Sequence, residues 1–184
     1  MQEITFITGN QKKADYLAKY LGFPVKHVKL DLDELQSLDL KVIVEHKVRQ
    51  AYEKIKSPVI VEDVSLEFEG LKGLPGPFIR FFVDNLSKAD ICSLVNGKSR
   101  KVIARSVFGY FDGREVKLIE GALEGVVAEK PAGEGGYAKV GWDDIFIPNG
   151  YGVTRAQLGP DDERKTHLQI KPFAQLKEFL ESLT

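Results

Sequence analysis

The sequence has little of the chemistry that stabilises small secreted or metal-rich proteins. Its 184 residues include one cysteine, Cys92, so an internal disulfide is excluded and we expect a reducing, cytoplasmic compartment. Only three histidines are present, which disfavours a multi-histidine metal site. The single cysteine likewise disfavours zinc sites rich in cysteine. No apolar run approaches the roughly 18 residues of a membrane span, and we expect neither a signal peptide nor a membrane partner.

An excess of charge of either sign is also lacking. Lysine and arginine total 26 against 27 acidic residues, which gives a net charge of -1. A broad electrostatic grip on nucleic acid is therefore disfavoured, and we expect no nucleic-acid partner. What the chain does have is 43% apolar residues, enough for the core of a single domain over residues 1–184.

Hydrophobic periodicity predicts helices that alternate with strands, followed by a hairpin at Asp112-Gly113. The clearest pattern is the helix 40–55, whose apolar residues fall on one face. The alternation predicts an α/β fold with a mixed sheet. The predicted helices cover residues 11–21, 40–55, 78–86, 88–95 and 173–183. The predicted strands cover residues 4–8, 25–30, 59–61, 101–111, 115–128 and 145–147.

The segment TGNQKK lies between the first predicted strand and the first helix. Asn10 can cap this helix, and Gly22 and Pro24 are expected to end it. A helix N-terminus with free backbone N–H groups, a hydroxyl from Thr8, a close backbone approach at Gly9 and an ammonium from Lys13 suit a phosphate. A capped helix with solvated lysines explains the same pattern, and the Walker A spacing is absent.

Lys47 falls within the apolar arc of helix 40–55, between Ile43 and Val48. A lysine directed toward a core needs a partner or a path to water. One interpretation is a side chain that reaches water at the rim of the core. The other is an ammonium that reaches a cleft and meets an anion.

Glu62 and Asp63 directly follow the predicted buried strand 59–61, where open α/β sheets place their ligands. Glu34, in an acidic segment, is a candidate partner. Separated carboxylates together with phosphate oxygens are the hard ligands that Mg²⁺ prefers, and one carboxylate can also deprotonate a water. A solvated strand end is the structural alternative.

Two further groups lie toward the end of the chain. Trp142, the only tryptophan, precedes Asp143; an aromatic face can stack on a base, and a carboxylate can accept from base N–H groups. His167 follows Thr166 and is a weaker candidate. A core tryptophan beside a turn and a structural histidine explain these residues equally well.

Four segments, in this order, resemble one enzyme family. They are FITGNQKK, VEDVSLEFEGLKGLPGPFIRFF, GWDDIFIPNGYGVTRAQL and, as a weaker match, KTHLQIKPFAQL. Together they resemble the noncanonical purine nucleoside triphosphate pyrophosphatases, which are the inosine and xanthosine triphosphate diphosphatases. The resemblance spans roughly residues 4–180 and implies hydrolysis of a nucleoside triphosphate to the monophosphate and pyrophosphate. It also implies an elongated two-lobed α/β fold around a twisted mixed sheet with a central cleft, and a homodimer.

The resemblance assigns roles to individual residues. Asp63 would be the general base, and Glu34 with Asp63 would ligate Mg²⁺. The base end would be formed by Trp142, Asp143 and His167. The residues expected to bind the phosphates are Thr8, Gly9, Asn10, Lys13, Lys47 and Arg80.

Most departures from the family pattern lie toward the base end, where Leu168 replaces an arginine and Asp162 a lysine. We hypothesise that pyrophosphohydrolysis is retained while base selectivity has changed or relaxed. An inactive nucleotide-binding homologue and a small phosphatase acting on another metabolite remain as alternatives. The other departures are Tyr16, Val64 (with Ser65 adjacent), Val140, Asp144 and Gln157.

Overall fold

The computed structural model describes residues 4–22, 25–136, 139 and 141–183, which form six α-helices and seven β-strands. The mixed α/β fold predicted from the sequence is confirmed. None of the described helices is both long and apolar enough to cross a membrane. The strands are β1 (Thr5–Ile7), β2 (Lys26–Val28), β3 (Val59–Phe68), β4 (Pro75–Gly76), β5 (Lys101–Phe111), β6 (Val116–Val127) and β7 (Phe146–Pro148). The helices are α1 (Gln11–Leu21), α2 (Leu40–Ile55), α3 (Ile79–Asn85), α4 (Lys88–Ser93), α5 (Pro160–Ile170) and α6 (Phe173–Ser182).

The strands form one sheet in the order β2-β1-β3-β5-β6-β7, with β4 paired to β3. Strand β1 runs parallel to both of its neighbours, and β4 and β7 run antiparallel to theirs. Ile7, the last residue of β1, lies opposite Val61 of β3. The turn that follows β1 therefore begins beside Glu62 and Asp63.

The chain divides into two compact units. Unit 1 comprises Met1–Asp63, Ser106–Glu120 and Pro172–Thr184. One face of its strands packs against the apolar side of α2, and the opposite face carries the ring contacts of Phe108 with Phe6 and Phe173. Neighbouring strand residues point to opposite faces, so both faces of β1 are covered by apolar side chains.

Unit 2 comprises Val64–Arg105 and Gly121–Lys171. Its core buries residues from β3, β5 and β7 together with the helices α3 and α4. Cys92 is part of this core, and burial raises the pKa of its thiol. The buried members of this core are Leu66, Phe68, Ile79, Ile91, Cys92, Val95, Val102, Ala104, Val127, Ile145, Phe146 and Ile170.

The structure differs from the sequence prediction at β3, which was predicted too short, and at α5, which was not predicted. Strand β3 continues to Phe68, so Glu62 and Asp63 lie within the strand rather than after it. Polar residues in the middle of β3 obscure the length of the strand in the sequence. The alternation of buried and less buried residues resumes at Leu66 and Phe68, which are buried on either side of the half-buried Glu67. Helix α5 was not predicted because it has few apolar residues, although Pro160 and the acidic first turn are helix-start signals. Pro24, expected to help end α1, lies outside the described residues.

Candidate active site

The turn after β1 is held by its own side chains. The backbone N–H of Asn10 donates to Thr8 Oγ1 at 3.1 Å, and the Asn10 side chain accepts from the backbone N–H of Lys13 at 3.3 Å. Asn10 is therefore the N-cap of α1, as predicted. Gly9 and Asn10 are exposed, so the N-terminal end of α1 faces solvent at this turn.

His27 supports the same turn from the neighbouring strand β2. Its Nε2 lies 2.6 Å from the carbonyl oxygen of Thr8, and its Nδ1 lies 2.8 Å from Gln11 Oε1. The Gln11 amide nitrogen donates to Asp15, which leaves the amide oxygen to face the ring. Sequence reasoning missed His27, because only the parallel pairing of β1 with β2 brings it to the turn.

Lys13 is paired with a buried acid. Its Nζ lies 3.1 Å from Glu62 Oε2, and the Glu62 side chain is only 3% exposed. The hydroxyl of Ser106, on β5, donates to the other oxygen of Glu62 at 2.9 Å. A buried carboxylate needs such partners, and the result is an ammonium fixed beside the capped turn.

Lys47 is paired with the next residue of the same strand. Its Nζ donates to Asp63 Oδ2 at 2.7 Å and lies 3.9 Å from Glu34 Oε1. Glu62 and Asp63 are adjacent on β3, so their side chains point to opposite faces and meet lysines from different helices. The lysine of α2 therefore meets an anionic pair, rather than only reaching water at the rim of the core.

The donor set fits a hard divalent cation that binds together with a phosphate. Among the described residues no three histidine, cysteine or acidic side chains form a group that could hold a metal ion. Glu34 and Asp63 do converge on one cationic centre, the ammonium of Lys47. Two carboxylates can hold Mg²⁺ when water and phosphate oxygens complete its octahedron.

The three residues predicted for the base end lie in unit 2. Trp142 is partly buried and packs against the apolar core of that unit. Part of the ring surface is therefore used in core packing, as expected for a core tryptophan. Asp143 and His167 are buried, at 4% and 8% exposure. Both oxygens of Asp143 accept from Arg155, Nε to Oδ1 at 3.0 Å and Nη2 to Oδ2 at 3.2 Å.

Several departures from the family pattern have a structural explanation. Asp144 is buried and paired with Lys88 at 3.2 Å, and the same ammonium donates to the carbonyl of Gly141. Gln157 completes a capping box with Thr154, a role that glutamine and glutamate share. The ring of Tyr16 packs on Phe173. Val140 lies outside the described residues.

Two further polar positions of unit 2 make local contacts. Arg80 is 70% exposed, and its Nε donates to Asp84 one turn further along α3. Asp162 accepts from the hydroxyl of Tyr151 at 2.9 Å, and this hydrogen bond raises the pKa of Tyr151. Neither contact tests the phosphate role predicted for Arg80.

The structure thus gathers one part of the predicted site in unit 1: Thr8, Gly9, Asn10, Lys13, Glu34, Lys47 and Asp63. It adds Glu62, Ser106 and His27. Arg80, Trp142, Asp143 and His167 belong to unit 2.

Known proteins resemble this chain in sequence and in fold. The sequence model of the Ham1 family matches residues 4–179. The chain is 37% identical over 180 residues to inosine triphosphate pyrophosphatase 2 of Trypanosoma cruzi, covering 95% of this chain and 90% of that protein. It is 38% identical over 184 residues to the dITP/XTP pyrophosphatase of Methanopyrus kandleri, covering 96% of this chain and 95% of that protein.

Solved structures share the fold. A HAM1 protein from Coxiella burnetii superposes with a TM-score of 0.85 at 21% identity, covering 99% of this chain and all of that one. The Ham1 protein of Staphylococcus aureus gives a TM-score of 0.82 at 23% identity, with 99% and 100% coverage. These identities support the fold alone.

Proposed function

Because this chain belongs to the Ham1 family, we propose that it is a Mg²⁺-dependent nucleoside triphosphate pyrophosphatase that acts on noncanonical purine nucleotides. The names of its curated relatives confirm the prediction of an enzyme that hydrolyses phosphoric anhydride bonds. Its substrates are ITP, dITP and XTP, and its products are the monophosphate and pyrophosphate. Such a reaction removes damaged nucleotides from the precursor pool.

One observation carries the proposal: two adjacent carboxylates of β3 each pair with a lysine, one from the capped helix α1 and the other from α2. Lys13 and the first turn of α1 provide positive charge on one side of β3, and Lys47 provides it on the other. Positive groups fixed before the reaction stabilise charge that develops on a departing pyrophosphate. Thr8, Gly9 and Asn10 bind phosphate oxygens through the hydroxyl, the backbone and the amide.

Asp63 is the base in this proposal. It takes a proton from water as the water oxygen bonds to the α-phosphorus, and the bond from that phosphorus to the α–β bridging oxygen breaks. Pyrophosphate leaves with the electron pair of that bond. Glu34 and Asp63 would hold Mg²⁺, which when bound neutralises charge on the phosphate oxygens. Lys47 keeps the Asp63 carboxylate oriented before substrate arrives.

The test measures pyrophosphate and phosphate separately after incubation with ITP and Mg²⁺. We expect pyrophosphate, and we expect Asp63→Asn to lower kcat by at least about 10²-fold without loss of fold, the scale of lost acid–base help. Glu53→Gln, which changes an exposed acid paired with Lys56 near the end of α2, serves as the control. Normal turnover by Asp63→Asn would reject the assignment of the base.

The same assay separates the alternatives. Phosphate instead of pyrophosphate would favour a small phosphatase acting on another metabolite. Tight binding of ITP without either product would favour a nucleotide-binding homologue that has lost hydrolysis.

The proposal includes relaxed base selectivity. Leu168 carries no hydrogen-bonding group on its side chain, and loss of one charged base contact lowers discrimination by about 5- to 150-fold. A panel of dITP, XTP, dATP, dGTP and dUTP measures this. A preference for dITP and XTP over dATP and dGTP as sharp as that of typical family members would contradict the relaxed selectivity and leave the proposed hydrolysis standing.

Quaternary structure and location are also part of the proposal. We expect a cytoplasmic homodimer in which residues 1–184 act as one domain. Light scattering during size-exclusion chromatography would report the mass against the 20.6 kDa of one chain. A monomer at assay concentration would refute the dimer and leave the chemistry untouched.

A further inference from the structure

The largest fully buried side chain among the described residues is a charged one. Arg155 is 1% exposed and lies in the short 3₁₀ turn Arg155–Gln157 that precedes α5. A buried guanidinium is costly unless acceptors surround it. The groups that surround the Arg155 guanidinium therefore indicate its role.

All five N–H groups of Arg155 have an acceptor. Nε and one N–H of Nη2 donate to the two oxygens of Asp143, at 3.0 and 3.2 Å. The second N–H of Nη2 donates to Glu163 Oε1 at 2.7 Å. Nη1 donates to Thr166 Oγ1 at 2.9 Å and to the carbonyl of Glu163 at 3.3 Å. Since a guanidinium has five N–H donors, none remains for a substrate.

These contacts join three segments that are separate in sequence. Asp143 follows Trp142, and Thr166 precedes His167, so two of the three partners of Arg155 are next in sequence to a residue expected at the base end. The two-pronged bond to Asp143 fixes the plane of that carboxylate. A Cβ on Gly136 would lie 2.4 Å from Asp143 Oδ2, so the chain also encloses the carboxylate from another side.

We propose that Arg155 is a positioning residue for nucleobase recognition, which locks the Trp142-Asp143 and Thr166-His167 segments into one geometry without touching the substrate. The inference rests on the proposed function. A buried ion pair is often no better for stability than apolar residues of the same volume, so stability alone does not account for it. The geometry specifies where the two base-end segments lie relative to each other.

The test compares binding with and without a base. One ligand is an inosine triphosphate analogue with a nonhydrolysable α–β methylene bridge, and the other is inorganic tripolyphosphate, both with Mg²⁺. Calorimetry gives the two dissociation constants for the wild type and for Arg155→Lys, which keeps the charge but not the planar, two-pronged donor. We expect the inosine analogue to bind about tenfold more weakly to the variant and tripolyphosphate to bind unchanged.

Arg105→Lys is the matched control. Arg105 makes an ion pair with Glu67 in the same unit, at 3.0 Å, and lies outside the predicted site. Both dissociation constants should equal those of the wild type. If Arg155→Lys does not fold, Thr166→Val removes one acceptor of the guanidinium and should weaken the inosine analogue by about threefold, again without an effect on tripolyphosphate.

The outcomes are separable. Equal weakening of both ligands would mean a general structural role and would overturn the inference, as would no change in either. Because the measurement uses binding rather than turnover, it does not depend on hydrolysis. Absence of pyrophosphate release by the wild type would reject the proposed function instead.

Discussion

Lys13 and Lys47 are the two lysines of the candidate site, and each is paired with a carboxylate. The Glu62 and Asp63 side chains that hold them are 3% and 23% exposed. Pairs at this depth are screened by solvent less than surface pairs, which contribute little. The fold therefore fixes both lysines, and under the proposed function less entropy would be lost when a triphosphate binds.

Lys47→Met tests this at one residue. The change keeps the length of the side chain on the apolar face of α2, so the helix should remain folded. We expect KM for ITP to rise at least about tenfold, because one charge-assisted contact to phosphate is lost. Steady-state kinetics measures it.

Lys41→Met provides the comparison on the same helix. Lys41 is 56% exposed and pairs with Glu120, and neither residue belongs to the predicted site. Its kinetic constants should match the wild type. If the kinetic constants of Lys47→Met also matched those of the wild type, Lys47 would only reach water at the rim of the core and would not bind phosphate.

At the scale of elements, α2 and β5 pack without space between them. An added Cβ at Gly109 of β5 would lie 2.6 Å from Val44 Cγ1, and Val44 is fully buried. Gly109→Ala must push α2 away from the sheet or force a strained rotamer. We expect a loss of about 1–3 kcal/mol in the free energy of unfolding, measured in urea.

Gly152→Ala is the control for that change. Gly152 is exposed, lies outside the helices and strands, and an added Cβ would have no heavy atom within 4 Å. The free energy of unfolding should change by no more than about 0.5 kcal/mol, as is usual for a surface substitution. Equal losses for both variants would mean that the contact with α2 does not limit packing.

The turn between β5 and β6 depends on a carboxylate. Asp112 Oδ1 accepts from the backbone N–H of Arg114 at 2.9 Å and of Glu115 at 3.2 Å. The pKa of Asp112 lies below its ordinary value of 3.8, chiefly because of the hydrogen bond from the backbone N–H of Arg114. A carboxylate whose pKa is lowered by folding stabilises the folded state at pH values above its pKa in the unfolded chain. This contribution is lost as the pH falls through its pKa in the folded protein.

Asp112→Asn tests the turn because the amide oxygen still accepts but binds no proton. Between about pH 6 and about pH 3, the wild type should lose more unfolding free energy than the variant, by up to about 1 kcal/mol. Urea unfolding at the two pH values measures the difference. Parallel losses in both proteins would show that the carboxylate charge does not contribute.

At the scale of the whole molecule, ligand binding and stability are linked. Only Glu34 and Asp63 were predicted as metal ligands, and Lys47 lies against both. Mg²⁺ alone should therefore bind weakly, whereas Mg²⁺ with the methylene analogue of ITP should bind the folded chain tightly. A ligand at about 100 times its Kd stabilises the fold by about 2.7 kcal/mol.

Thermal unfolding with each addition measures this linkage. We expect a small shift of Tm with Mg²⁺ alone, a large shift with Mg²⁺ and analogue, and loss of the large shift when a chelator removes the metal. A large shift with the analogue in chelator would mean that the nucleotide binds without a divalent ion.

The sequence by itself determined those features that depend on neighbouring residues. The cap at Asn10 joins groups three residues apart, the apolar face of α2 repeats with the helical period, and Asp112-Gly113 marks a hairpin. Each follows from backbone geometry over a few residues. The ordered motifs were also sufficient to indicate the family, which the comparisons confirm.

Tertiary structure alone decided which charges meet. Glu62 and Ser106 are 44 residues apart, and the donors of Arg155 reach 12 residues back to Asp143 and 11 forward to Thr166. Such pairs depend on strand register and on the packing of turns, and a register shift of one residue would turn Glu62 to the opposite face. No local pattern in the sequence contains that information, because the cost of burying a charge depends on partners that only the folded chain supplies.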